Sequence, residues 1–330
     1  MTFSAARIEF GINHRTISPI IPLGLGKAML AKSFTLVFPR KCVERFMGFL
    51  WTGLDESADR ERKHVFVVAG YLARQREWTE IERQWMLRLE RENNPQPMKY
   101  FKSSECQRLT GEFARFRDKH KYPPPQGRIA ANNVRDDLLG IMKSSRAVGF
   151  SVGVLLKDYR SIRRNARAKK VLPADPYLET YFQSMIQIAG DLIDEMPKTE
   201  TVAFLCDSHN LAAKLLTHYP DLKKYNPLCA EWMGTLTPMD DKDSPALQAG
   251  DLLAAQCKDV LAELVKTPNK RTLRDTFKAR VGSEVAVRYM NKKFLQLLVD
   301  ANLLRNGKPS LGSTQQYQLF KDIWAKGDAI

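Results

Sequence analysis

The sequence predicts an α/β domain: a central mixed sheet with helices on its faces. Three observations predict it. Short runs rich in valine and aromatics, HVFVVAGYLA (64–73), AVGFSVGVLL (147–156) and TVAFLCD (201–207), have the length and composition of buried strands. Segments with helical apolar spacing stand between them. The 330 residues, 44% hydrophobic and 27% charged, suit a packed core and exclude a disordered chain or a coiled-coil rod. A chain of this length buries roughly three quarters of its unfolded surface and needs no staples.

The elements follow in order. Residues 1–46 show neither period and carry seven Lys/Arg against two acids, a basic N-terminal extension with Met47 as an alternative start. Its Gly24, Gly26 and Lys27 superficially suggest a phosphate loop, but the first glycine is misplaced and no Ser or Thr follows the lysine. MGFLWTGLDES (47–57) and HVFVVAGYLA flank about ten polar residues, as two antiparallel strands of a hairpin do. Residues 78–93, with Trp78, Ile81, Trp85, Leu87 and Leu89 amid charges, predict a helix stopped by Asn-Asn-Pro. MKYF (98–101) predicts a short strand, 103–120 a helix, YPPPQG (122–127) a loop and 132–146 a helix. A strand at 147–156 precedes a basic helix over 157–170. A long amphipathic helix over 175–195 starts at a proline and stops before Pro197. Strand 201–207 is followed by helix 208–218. Residues 244–265 predict a helix opened by Ser-Pro, a cap followed by a first-turn proline. Helices at 273–281, 284–301 and 314–325 complete the reading, which divides the chain into the extension 1–46, a domain over 47–265 and a helical C-terminal part over 266–330.

Composition bounds the function. No apolar run reaches about 18 residues, so no segment reads as a membrane span. The N-terminus lacks a compact apolar signal core, and five scattered cysteines form no CxxC pair, so reduced thiols in a cytoplasm are expected. Lys plus Arg outnumber Asp plus Glu by 52 to 37, a net charge of +15. Such an excess suits a polyanionic partner, whose condensed counterions are released on binding.

Three carboxylates end or interrupt apolar elements: Asp55 with Glu56 after FLWTGL, Asp207 after TVAFLC, and Asp251 inside PALQAGDLLAAQ. Singly, such acids are turn residues or helix caps. Asp251, hemmed by Leu247, Leu252, Leu253 and Ala254, must be paired, metal-bound or protonated if buried. Together the three could ligate Mg²⁺ or Mn²⁺, which favour carboxylate oxygen. Such ions activate water and stabilise the leaving oxygen of a phosphodiester.

GLDES, then VFVVAGYLA and a Trp-rich helix, then CDSHN, then LQAGDLLA resemble, in order, the domain-of-unknown-function family 3800 over about residues 49–260. That family opens with an Asp-Glu-Ser-Gly strand and closes with a Leu-Gln-x-Ala-Asp-Leu-Leu helix. The resemblance implies a ribonuclease H-like fold and nuclease chemistry. It maps Asp55, Glu56 and Ser57 on the opening motif, Asp207 on the middle aspartate, and Gln248 and Asp251 on the closing helix. Ala58 and Gly250 depart from it, standing for glycine and alanine, and Lys102 stands where histidine is frequent. The resemblance also implies a fourth acid, and Glu56 and Glu105 are alternatives for it. Adjacent strand residues face opposite ways, so Asp55 and Glu56 share a metal only if the strand ends or bulges there.

The basic segment 157–170 carries Lys157, Arg160, Arg163, Arg164, Arg167, Lys169 and Lys170. As one helix it puts Arg160, Arg163, Arg164 and Arg167 on a stripe, either a solvated face or a phosphate-tracking surface. Tyr159 and Tyr177 could stack on bases or pack in the core. His209 is a water-positioning group or a cap; Cys206 and the five tryptophans belong to the core. The expected function is a metal-dependent nuclease, against a nucleic-acid-binding or protein-interaction module, of a defence or mobile-element system, that keeps the fold without the reaction.

Overall fold

The structure, a computed structural model, describes residues 50–59, 63–93, 96–192, 200–208, 211–266, 277, 281–282 and 285–305. The N-terminal extension, Cys42, His209, Trp324, the helix predicted at 314–325 and most of that at 273–281 lie outside the described residues.

Six strands make one mixed sheet in the order β5-β4-β1-β2-β3-β6. They are β1 (Leu50–Ala58), β2 (Val65–Arg74), β3 (Val148–Leu155), β4 (Val202–Asp207), β5 (Met233–Met239) and β6 (Val285–Met290). β1 and β2 form the expected antiparallel hairpin, and β3 pairs antiparallel with β2. β4 lies parallel to β1, β5 to β4 and β6 to β3. All strands but β2 therefore run one way, and the C-terminal ends of β1, β3 and β4 share one end of the sheet.

Alternation divides the buried side chains between two faces. One face, with Leu54, Val68, Val152 and Phe204, packs against the helix Pro176–Leu192 and its neighbours Leu156–Arg163, Ala166–Val171, Ala212–Tyr225 and Lys292–Arg305. The other, with Trp51, Val67, Ala69 and Leu205, packs against Gln75–Glu90, Gln126–Ser144 and Pro245–Lys266. In chain order the helices are α1 (Gln75–Glu90), α2 (Ser103–Arg108), α3 (Gln126–Ser144), α4 (Leu156–Arg163), α5 (Ala166–Val171), α6 (Pro176–Leu192), α7 (Ala212–Tyr225), α8 (Pro227–Ala230), α9 (Pro245–Lys266) and α10 (Lys292–Arg305). Among the described residues no helix is long and apolar enough to cross a membrane.

Several expectations are corrected. MKYF is extended but unpaired, because its backbone turns inward to bond a side chain of α9. The helix predicted over 103–120 is the short α2 and a 3-10 turn (Gly111–Arg117), broken where Leu109 and Gly111 take positive φ. The basic helix over 157–170 is two helices: α4 ends at Arg163, and Asn165 caps α5 by accepting the Arg167 N–H at 2.8 Å. Residues 284–301 are not one helix. VAVRYM alternates, and its backbone finds the open edge of β3, so β6 brings part of the expected helical extension into the sheet. β5 has no counterpart among the predicted strands, since MGTLTPM contains glycine and proline.

Glu82 and Glu179 are buried on α1 and α6, and burial pushes their carboxyls up to about 8 and about 7. Each binds a proton in the folded state that the unfolded chain releases near pH 4. Their contribution is full below that pH and is lost as pH rises through about 7 to 8. The depressed carboxyls of Asp59 and Glu80 act the opposite way, in more acidic solution. The melting temperature should therefore fall between pH 5 and pH 8, as stability declines by up to about 1.4 kcal/mol per pH unit for each titrating group. Glu82→Gln, measured by thermal melts across that range, should flatten the decline.

Candidate functional site

Asp55 sits near the C-terminal end of β1 and Asp207 ends β4. Each directly follows the last rung of their parallel ladder, Leu54 with Cys206, so strand alternation turns both toward the α9 face. β1 pairs with β2 without interruption past this point, Asp55 with Ala69 and Glu56 with Val68. Neither an end nor a bulge intervenes, and Glu56 turns to the opposite face. There the hydroxyl of Tyr181 on α6 lies 3.1 Å from Glu56 Oε2 and 3.0 Å from the Leu54 carbonyl.

Asp251 reaches this place on α9, in which every residue from Pro245 to Cys257 is buried. The approach is close because side chains are missing at the crossing. A Cβ on Gly250 would stand 2.7 Å from the Gly53 carbonyl oxygen and 3.2 Å from the Asp55 nitrogen; one on Gly53 would strike the Ala246 backbone. Alanine at 250 thus does not fit this helix position unshifted. Asp55 and Asp251 are only 6% and 9% exposed. Burial, followed by the charges of Asp251 and Glu56, holds the Asp55 carboxyl well above the usual range, with Asp207 adding to the effect. Burial pushes Asp251 up to about 6, against the lowering effect of the Ser103 N–H and the Lys102 charge.

The third wall is the segment leading into α2. The Ser103 N–H donates to Asp251 Oδ2 at 2.5 Å, and Lys102 forms an ion pair with buried Asp241. Gln248, one turn before Asp251, fixes both strands of this wall. Its Oε1 accepts from the Trp85 indole N–H (2.9 Å) and the Phe101 N–H (3.0 Å), and its Nε2 donates to the Asp241 and Lys242 carbonyls (3.0 and 3.3 Å). All four of its hydrogen-bonding positions are used.

The structure does not gather every expected residue here. Glu105 accepts from the Tyr100 hydroxyl and the Glu112 N–H, across Gly111, and so closes the turn after α2. The dominant charges on Asp55 are those of Asp251, Glu56 and Asp207, with Glu105 not among them. Lys157, Arg160, Arg164, Arg167, Lys169 and Lys170 are exposed and Arg163 is half-buried, on two helices rather than one stripe. α4 leaves β3 at the same sheet end as Asp55, but packs on the opposite face. Tyr159 and Tyr177 are buried and cannot stack on a base from outside; Cys206, Trp51, Trp78, Trp85 and Trp232 are core. The described cysteines, Cys106, Cys206, Cys229 and Cys257, are free thiols.

Ser103 and Asp241 are site residues that sequence reasoning misses, and for Lys102 it gives a motif position without a role. Asp241 lies in MDDKDSP, which reads as a solvated acidic loop, and only the bond from Gln248 draws it inward. Among the described residues no three His, Cys, Asp or Glu side chains are grouped to hold a metal ion as they stand. No protein-family model matches the chain, and no curated protein matches it either.

Two variants test this architecture. Gln248→Leu leaves the Trp85 and Phe101 N–H groups buried without acceptors, at about 1–3 kcal/mol each. Gly250→Ala forces α9 off β1 and should cost about 1–3 kcal/mol. Urea midpoints compared with the unmodified protein check both; unchanged midpoints would contradict the close crossing.

Proposed function

We propose that the protein is a divalent-metal-dependent nuclease with a ribonuclease H-like fold, acting at the Asp55–Asp251 site. The observation that carries this reading is the buried, mutually repelling pair Asp55 and Asp251, with Asp207 turned to the same face. Support for the fold comes from the sheet, an antiparallel β1-β2-β3 meander continued by parallel β4 and β5, with acids on β1, β4 and the crossing helix. From the sequence side the reading rests on the order of motifs that resemble family 3800, a resemblance that no family model extends to the chain.

The residues fit Mg²⁺ or Mn²⁺ by donor type: both are hard cations that one or two carboxylates hold while water and substrate oxygens complete the shell. Asp55 and Asp251 would be those carboxylates, with Asp207 on the rim. Such an ion supplies a more acidic bound water and neutralises charge developing on a phosphodiester. Around it the Ser103 N–H orients Asp251, Gln248 holds the wall in place, and Tyr181 keeps Glu56 turned away. The exposed basic residues of α4 and α5, at the same sheet end, would hold substrate phosphates.

A second reading, a nucleic-acid-binding module without the reaction, is favoured by the absence of a three-ligand group among the described residues. The two separate on metal. Millimolar Mn²⁺ should raise the melting temperature and support cleavage of single- or double-stranded DNA or RNA. Asp55→Asn and Asp251→Asn should abolish the thermal response and lower cleavage by more than the roughly 10–100-fold of an outer-shell change, and Glu56→Gln should cost less. Melts indifferent to Mn²⁺ would leave the binding module. Replacing Arg164 and Arg167 by glutamine should weaken binding alike for every sequence. It should flatten the log–log salt slope by about 0.9 for each duplex phosphate no longer neutralised, or about 0.7 on a single strand. Salt titrations of variant and parent check this, and matching slopes would remove α4 and α5 from the interface.

A further inference from the structure

We propose that the Lys102 ammonium is a built-in cation of the carboxylate site, seated on Asp241, so that the site admits one divalent ion and not two. The inference rests on the divalent-cation reading above and adds its stoichiometry. Lys102 and Ser103 are consecutive, and each meets a different buried acid. The Lys102 Nζ pairs with Asp241, and the Ser103 N–H bonds Asp251 at 2.5 Å. Gln248 ties the two acids together, since it donates to the Asp241 carbonyl from the turn of α9 that carries Asp251. The ammonium therefore stands within a frame shared by Asp241 and Asp251, close enough to Asp55 to feel its charge.

Charge then limits what can enter. With Asp55, Asp207, Asp241 and Asp251 ionised, one ammonium leaves three negative charges, which one divalent ion nearly balances and two would exceed. A second ion would place excess positive charge in a buried space or would have to displace Lys102. Displacement is costly, because the Asp241 side chain is 5% exposed and would be left as an unpaired buried charge. Burial by itself would lower the Lys102 proton affinity, but the hydrogen bond and charge of Asp241, followed by the charges of Asp55 and Asp251, keep it raised. The Ser103 hydroxyl is buried beside Asp251 and, with its backbone N–H, works against the rise of that carboxyl.

Equilibrium dialysis of the full chain against Mn²⁺ tests this directly. The unmodified protein should bind one ion. Lys102→Gln keeps a hydrogen-bond donor for Asp241 while removing the charge, and should bind two. Lys102→Arg should bind one, and Lys102→Gln with Asp241→Asn should return to one. Two ions on the unmodified protein would overturn the inference whatever the variants do, as would one ion on folded Lys102→Gln. No ion on any of the four proteins would overturn the divalent-cation reading itself, and is told apart by its stoichiometry of zero.

Discussion

The close crossing of α9 over β1 is the feature from which the rest of this structure follows. Helix and sheet meet where Gly250 faces the Gly53 carbonyl and the Asp55 nitrogen, and neither glycine could carry a side chain without moving the other element. Helix–sheet layers are normally separated by interleaved side chains, so backbone contact of this kind is local and fixes the register of α9 on the sheet. Two residues of that helix then have no freedom. Asp251 is delivered against Asp55, and Gln248 is driven between α1 and the segment entering α2. The site and the core are thus the same contact seen from two sides.

Electrostatics works against this packing. Two carboxylates in a space that water barely reaches repel each other and lose hydration, and both effects favour the protonated forms. Part of that repulsion is relieved within the chain: one backbone N–H on Asp251, one on Asp55 from Glu56, and the Lys102–Asp241 pair alongside. The relief is incomplete, as the raised Asp251 carboxyl records. A fold maintained by stability alone would replace such a pair with apolar residues, which often stabilises a protein.

The geometry also separates the buried acids from the exposed basic residues. Acids on β1, β4 and α9 occupy one face of the sheet, whereas α4 and α5, with most of the basic residues of 157–170, pack on the other. Both reach the same end of the sheet because β1, β3 and β4 run in one direction. A polyanion bridging them would cross the strand ends rather than lie on either face. Glu56, sent to the basic side by strand alternation and held by Tyr181, is half-buried there, although its charge still reaches Asp55.

Local signals alone specify the strands β1 to β4, the helix α9 with its Ser-Pro start, and the acids Asp55, Asp207 and Asp251 as residues out of place among apolar neighbours. Those signals are period, cap chemistry and a charge where burial is expected. Everything else waits on the folded chain. β5 and β6 exist because sheet edges supply partners for segments whose own propensities are mixed. Glu56 and Glu105 stand as equals in the sequence; an uninterrupted ladder turns one away while a left-handed turn engages the other. Lys102 and Asp241, far apart in the chain, look like solvated charges until Gln248 draws their backbones to one place. Pairing between residues separated by more than a hundred positions leaves no periodic trace, so the cation beside the acids can be read only from the fold.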